Sequence, residues 1–163
     1  MKNIAMTRVD ARLVHGQIAA VWTKRLALSD IVILSDETAN DEFVCEILQF
    51  AAPTGVKLQI LHIDEGVDMW KADTFPNGKT LLLFKDIDSA YEAYQKGVNF
   101  TDLNIGQAPK VKDRIQVIGT VSMNEAELRK LEELERTGVE VYFQPLPDEA
   151  KVPLKRASEK FNK

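Results

Sequence analysis

At 163 residues the chain is long enough for one domain with a sizeable core, and 45% hydrophobic with 28% charged residues is ordinary for a globular protein. A net charge of -4 argues against general nucleic-acid affinity, which needs a basic face. The single cysteine, Cys45, excludes an internal disulfide; with only two histidines besides, no zinc-type spacing exists and no metal is expected. No apolar stretch approaches the ~18 residues of a membrane span. Met1, Lys2 and Asn3 run straight into a β-type segment without the pattern of a signal peptide. The expected location is cytoplasmic, with any membrane process reached by docking on a partner.

In chain order, short β-type runs alternate with amphipathic segments. Ile4 to Met6 is an apolar run, and beyond Gln17 the residues Ile18, Val21 and Trp22 recur at helical spacing. Ile31 to Leu34 is a compact β-branched run closed by Ser35, Asp36 and Glu37. The next segment puts Phe43, Ile47, Phe50 and Ala51 on one apolar helical face, and Pro53, Thr54 and Gly55 stop it. Lys57 to Ile63 alternates as a strand, a short helix follows from Glu65 to Ala72, and Pro76, Asn77 and Gly78 turn the chain.

Thr80 to Phe84 is continuously apolar, as in a strand buried on both faces of a parallel sheet. Asp86 and Asp88 are candidate N-caps for a helix carrying Ala90, Tyr91 and Tyr94, ended by Gly97. Leu103 to Ile105 and Ile115 to Val121 read as further strands, separated by Gly106 and a basic loop. Ser122 and Glu125 have the capping-box spacing for a helix whose inner face is Leu128, Leu131 and Leu134. Val139 to Phe143 is the last predicted strand, broken by Pro145 and Pro147; Lys151 to Lys163 reads as a short polar helix or a frayed tail. The predicted fold class is α/β, one domain over residues 1-163, with an open, mostly parallel sheet of about seven strands and helices on both faces. The pattern carries no strand order.

Chemistry concentrates in Arg8-Val9-Asp10-Ala11-Arg12-Leu13-Val14-His15-Gly16-Gln17. The stretch falls on a strand-to-helix turn, at the carboxyl edge where α/β sheets bind ligands. Backbone N–H groups opening the next helix add partial positive charge there. A lone histidine is more often structural than functional, but here two guanidiniums flank it. They would favour a neutral imidazole, whose unprotonated nitrogen can attack phosphorus. They would also donate charge-assisted hydrogen bonds to phosphate oxygens, worth about 1.5–3 kcal/mol each. Asp10 is placed to orient an arginine or to accept from the imidazole, and Gly16 would let the backbone approach phosphate closely.

Other candidates carry less. His62 and Asp36 end strands, as does Gly106, and strand-end turns use such residues anyway. Lys110, Lys112 and Arg114 read as a solvated loop, or as a docking patch for an acidic partner. Trp22 and Cys45 read as packing. Neither Gly-x-Gly-x-x-Gly nor Gly-x-x-x-x-Gly-Lys-Ser/Thr occurs, so a nucleotide cofactor has little support. Phosphate would then arrive from another protein.

Residues 8–17 resemble the signature of the enzyme IIB components of the mannose/fructose/sorbose/N-acetylgalactosamine family of the bacterial sugar phosphotransferase system, approximately Arg-Ile/Val-Asp-Asp/Glu-Arg-Leu-Ile/Val-His-Gly-Gln. The likeness extends to Trp22, Asp36-Glu37, Asn104-Ile105-Gly106, Thr120-Val121-Ser122 and Gly138-Val139-Glu140. It implies an open, mainly parallel α/β sheet and a histidine, matched by His15, that takes a phosphoryl group from phosphohistidine of a IIA component. The group then passes to a sugar, of the mannose or N-acetylgalactosamine class, carried by membrane IIC and IID components. Arg12 and Asp10 match the family's arginine and aspartate, while Ala11 stands where members often carry an acid.

The expected site is therefore His15 as nucleophile, Arg12 as chief phosphate stabiliser, Arg8 as a second cation and Asp10 as orienting carboxylate. Gly16, Gln17, Asp36 and Gly106 are expected to line it, with no cofactor. Peripheral association with the membrane transporter is expected, and self-association stays open. Two rivals remain. A histidine phosphatase would normally need Arg-His-Gly and a second catalytic histidine, whereas Val14 precedes His15 and only His62 is available. A non-catalytic sugar-phosphate-binding module would use the same arginines.

Overall fold

The segments that read as apolar on both sides form the middle of the sheet. The computed structural model describes residues 2–16 and 18–162. β1 (Ile4–Asp10) leads through a π-helical turn (Ile18–Trp22) and α1 (Thr23–Leu26) to β2 (Asp30–Leu34). Then come α2 (Asp36–Ala39), α3 (Glu42–Ala51), β3 (Lys57–Leu61), α4 (Ile63–Lys71), β4 (Thr80–Phe84), α5 (Ile87–Gln95) and β5 (Asp102–Gln107). The chain closes with β6 (Ile115–Ile118), β7 (Val121–Met123), α6 (Glu125–Arg136), β8 (Glu140–Phe143), β9 (Val152–Pro153) and α7 (Leu154–Phe161). The predicted seven-stranded α/β sheet is present, ordered β3-β2-β4-β1-β5-β8-β9. Every pairing is parallel except that of β9 with β8.

Alternation along the strands divides the core in two. Val9, Val32, Leu34, Leu82, Phe84, Leu103, Ile105, Val141 and Phe143 face one side with Ile63, Val67, Ile87, Leu128, Leu131 and Leu154, which come from α4 to α7. Ile31, Ile33, Leu81 and Leu83 face the other, with Leu13, Val14, Ile18, Trp22 and Leu48. Each fully buried aliphatic side chain contributes about 1.5–3 kcal/mol relative to exposure. The topology has a consequence for function. The chain leaving β1 turns to the second face, whereas α4 to α7 cover the first. The loop after β1 therefore parts from the loops after β4 and β5, leaving a crevice at a topological switch point.

Four local readings change. Residues 115–121 are not one strand but a hairpin outside the main sheet, because the chain turns at Gly119 (φ +49°), where Gln116 Nε2 donates to the Gly119 carbonyl at 2.7 Å. The seventh strand is β9 instead. The capping box of α6 is Asn124 with Glu127: the Asn124 side chain accepts from the Glu127 N–H at 2.8 Å, and Glu127 accepts from the Asn124 N–H at 2.9 Å. Ser122 lies in β7. Asn124→Ala should cost about 1 kcal/mol, a fall of about 2–4 °C in Tm for a chain this size, read by thermal unfolding.

The fourth change concerns α3. Its sequence holds two apolar stripes, and only Val44 and Leu48 meet the sheet, with Gln49 Nε2 donating to the Leu58 carbonyl at 3.0 Å. The stripe read from Phe43, Ile47 and Phe50 points to solvent.

Candidate functional site

The site begins where β1 ends in the centre of the sheet. Leu13 N–H donates to the Asp10 carbonyl at 2.9 Å, closing a tight turn over residues 10–13. Leu13 takes φ +56°, a left-handed conformation that costs a leucine roughly 1–2 kcal/mol. Burial of Leu13 and Val14 in the second core offsets that strain. Their burial leaves Arg12 and His15 at the rim.

Asp10 is fully buried and is the junction of the site. Its Oδ1 accepts from the Arg12 N–H at 3.0 Å and from Arg12 Nε at 3.1 Å. Its Oδ2 accepts from Arg12 Nη2, Arg8 Nη2 and His15 Nε2, each at 3.2 Å. Burial alone would raise the Asp10 carboxyl. The Arg12 hydrogen bonds, the Arg8 charge and the His15 contact outweigh burial and hold it below the ordinary carboxylate range. An ionised carboxylate only accepts, so the proton of this contact sits on His15 Nε2. The His15 side chain is 18% exposed and that of Arg12 44%, so both reach the surface from this buried anchor.

Arg8 corrects an expectation. It is fully buried, and its Nη atoms donate to the Gln144 carbonyl at 2.9 Å, the Pro145 carbonyl at 3.1 Å and Asp10. Burial lowers its pKa, with the Asp10 charge opposing that shift. It cannot serve as a second cation on an incoming phosphate; it holds Asp10. Trp22 packs its ring 5.3 Å from Arg8 Cζ and donates Nε1–H to the Pro145 carbonyl at 2.9 Å. The clamp from Gln144 and Pro145 carried no sequence signal, because backbone carbonyls are the acceptors. The prolines marked only a broken strand.

Gly106 also has another part than the one expected. A Cβ there would lie 2.1 Å from Arg8 Nη2, so this glycine makes room for the guanidinium. Asp36 Oδ1 accepts from the Ile63 N–H at 2.9 Å, joining α2 to the start of α4, so this carboxylate acts in the fold. At Gly16 a Cβ would meet nothing within 4 Å, so protein packing does not demand glycine there. Gln17 lies outside the described residues. His62 follows β3 as the N-cap of α4, and β3 is the edge strand three places from β1, roughly 14 Å by strand spacing. Its ring contacts Glu65 and Asn40, each at 2.7 Å, so the fold does not bring the two histidines together.

Beside the turn is the crevice, a cavity of about 150 Å³ lined by Ala11, Lys85, Asp86, Ala108, Arg114 and Glu127 among others. Arg114 meets the buried Glu127 through two hydrogen bonds, at 3.1 and 2.8 Å, so it braces the loop. Lys110 and Lys112 remain exposed.

Fold and site together define a class: a parallel α/β protein whose switch-point loop presents an imidazole anchored on a buried carboxylate between two guanidiniums. Residues 4–163 match the family described as PTS system sorbose subfamily IIB component. The chain is 28% identical over 150 residues to the fructose-specific EIIB component of Bacillus subtilis, covering 92% of each. It is 27% identical over 160 residues to the mannose-specific EIIAB component of Escherichia coli K12, covering 98% of this chain but spanning only half of that protein. Among solved structures, manxB from Thermoanaerobacter tengcongensis superposes with a TM-score of 0.89 at 38% identity, covering 98% of this chain and 96% of that one. The IIBSor domain of the Klebsiella pneumoniae sorbose permease gives 0.90 at 26%, covering 97% and 98%. The chain belongs to the sorbose-subfamily IIB components of the phosphotransferase system.

Proposed function

We propose that this chain is a phosphocarrier in which His15 accepts a phosphoryl group from phosphohistidine of a IIA component and passes it to a sugar. The sugar would be of the mannose or N-acetylgalactosamine class, presented by membrane IIC and IID components. The observation that carries this reading is the Nε2–H of His15 anchored on buried Asp10. The anchor fixes the ring at the rim, in place for attack on phosphorus; as the new N–P bond forms, the donor's N–P bond breaks. Phosphoryl transfer has a loose transition state, so the protein contributes position and charge. Arg12 is the cation at the rim that can meet the phosphoryl oxygens, while Arg8 acts through Asp10. Gly16 leaves space for the approaching group. No helix among the described residues is long and apolar enough to cross a membrane, which fits a carrier that docks on membrane partners.

Incubation with phosphoenolpyruvate, the general phosphotransferase proteins and a cognate IIA component should put acid-labile label on the wild type and none on His15→Ala. Equal label on both, or none on either, would sink the carrier reading. Phosphate release without a sugar acceptor would favour a phosphatase instead.

A further inference from the structure

The outward stripe of α3 is unpartnered in the fold. Phe43 is 70% exposed, Ile47 51% and Phe50 94%, at successive turns of one helix face. Single exposed apolar residues are ordinary, but a contiguous stripe marks a contact surface. Its electrostatic setting narrows the occupant. From Arg25 to Lys57 the intervening sequence has no lysine or arginine, and it holds the acids Asp30, Asp36, Glu37, Asp41, Glu42 and Glu46. Glu42 and Glu46 lie four residues apart along one flank of the stripe, and both are exposed.

A second copy of this chain fits poorly. Two α3 helices packed face to face would bring their like carboxylates, Glu42 and Glu46, against each other. A bare lipid surface fits poorly too, because anionic headgroups repel the acidic flank. The complement is an apolar protein segment bordered by lysine and arginine. Cytosolic loops of membrane proteins are enriched in those residues. α3 follows the carboxyl end of β2, so its first turn starts at the sheet edge that carries His15. The two surfaces differ in character: the exposed Arg12 guanidinium lies in the His15 loop, and carboxylates border α3.

Resting on the phosphocarrier reading, we propose that α3 is a second docking surface that tethers this chain to its membrane partner. Phe43, Ile47 and Phe50 receive an apolar segment of that partner, and Glu42 and Glu46 pair with its flanking cations. The His15 loop stays available for transfer while α3 holds the complex.

Cosedimentation with inside-out vesicles carrying the cognate IIC and IID proteins tests this. Wild type and His15→Ala should pellet alike, and neither should pellet with protein-free vesicles of phosphatidylglycerol and phosphatidylethanolamine. The double variants Phe43→Ser/Phe50→Ser and Glu42→Lys/Glu46→Lys should raise half-saturation about tenfold or more. Both should keep the wild-type Tm and accept label from phosphorylated IIA at the wild-type rate. Unchanged half-saturation would overturn the proposal. So would pelleting with protein-free vesicles, or a wild-type dimer in sedimentation equilibrium that Phe43→Ser/Phe50→Ser dissociates. Loss of His15 labelling alongside α3-dependent pelleting would remove the phosphocarrier reading and leave the tether. Normal labelling with α3-independent pelleting would do the reverse.

Discussion

Asp10→Asn should lower both stability and phosphoryl acceptance, and stability by more than any other single change in the loop. The substitution keeps the shape of the side chain but removes the charge that compensates Arg8, whose side chain is fully buried. Breaking a buried pair from one side costs about 3–5 kcal/mol, which for a chain of this size is a fall of about 6–20 °C in Tm. The amide would also turn N–H groups toward donors on Arg8, Arg12 or His15, so the imidazole loses its anchor. A misplacement of about 1 Å can cost a reaction about 100-fold, and labelling of His15 at equal folded fraction should fall at least that far. Normal labelling of a folded Asp10→Asn protein would show that Asp10 does not position His15.

The same residue predicts an acid limb. Asp10 titrates below its ordinary value of 3.8 in the folded protein. A depressed carboxylate stabilises the fold fully above the unfolded-state value and loses that contribution as pH falls through the folded value. Wild type should therefore weaken below about pH 4, and the gap between wild type and Asp10→Asn should narrow there. Urea midpoints of the two proteins from about pH 6 down to about pH 3 measure it. A constant gap would mean that the Asp10 charge is not the source of its stabilisation.

Gly106→Ala is expected to be the second most damaging change, although it adds a single methyl group. The new Cβ would lie 2.1 Å from Arg8 Nη2 and 2.2 Å from Arg8 Cζ. The end of an arginine usually moves aside at little cost. Here it is enclosed and tied to Asp10, Gln144 and Pro145. Overpacking costs about 1–3 kcal/mol, and each strained hydrogen bond to the charged group adds to it, so a loss of about 2–4 kcal/mol is expected. A double-mutant cycle with Arg8→Met separates this cause from others. With the guanidinium gone, Gly106→Ala should cost much less than in the wild type. Full additivity would place the clash elsewhere.

How much of this was legible beforehand follows from the range of each interaction. The apolar runs at Ile31 to Leu34 and Thr80 to Phe84 announced inner strands, because burial on both faces leaves no polar alternation. The helix of Leu128, Leu131 and Leu134 is equally plain, though its cap lies two residues beyond the Ser122 expected, since Ser122 and Asn124 both begin a capping-box spacing. The buried face of α3 is not legible in the sequence, because the helix carries two apolar stripes and only the packed sheet selects between them. The hairpin of β6 and β7 is not legible either, because one glycine inside an apolar run does not declare a turn.

Residues 8–17 were legible as a site from composition alone: two guanidiniums, a carboxylate and an imidazole on a strand-to-helix turn. By itself the sequence determined that grouping, the α/β class and the resemblance to IIB components. It gave both arginines to the incoming phosphate, Arg12 as the chief stabiliser and Arg8 as a second cation. Only the tertiary structure separated them. β1 runs through the centre of the sheet, and side chains alternate along it, so Arg8 is carried inward over Gly106 to the carbonyls of Gln144 and Pro145. Arg12 lies beyond the turn, where the chain has left the sheet and its side chain meets solvent. Burial, which depends on contacts more than a hundred residues away, decided which cation holds the carboxylate from beneath and which faces outward.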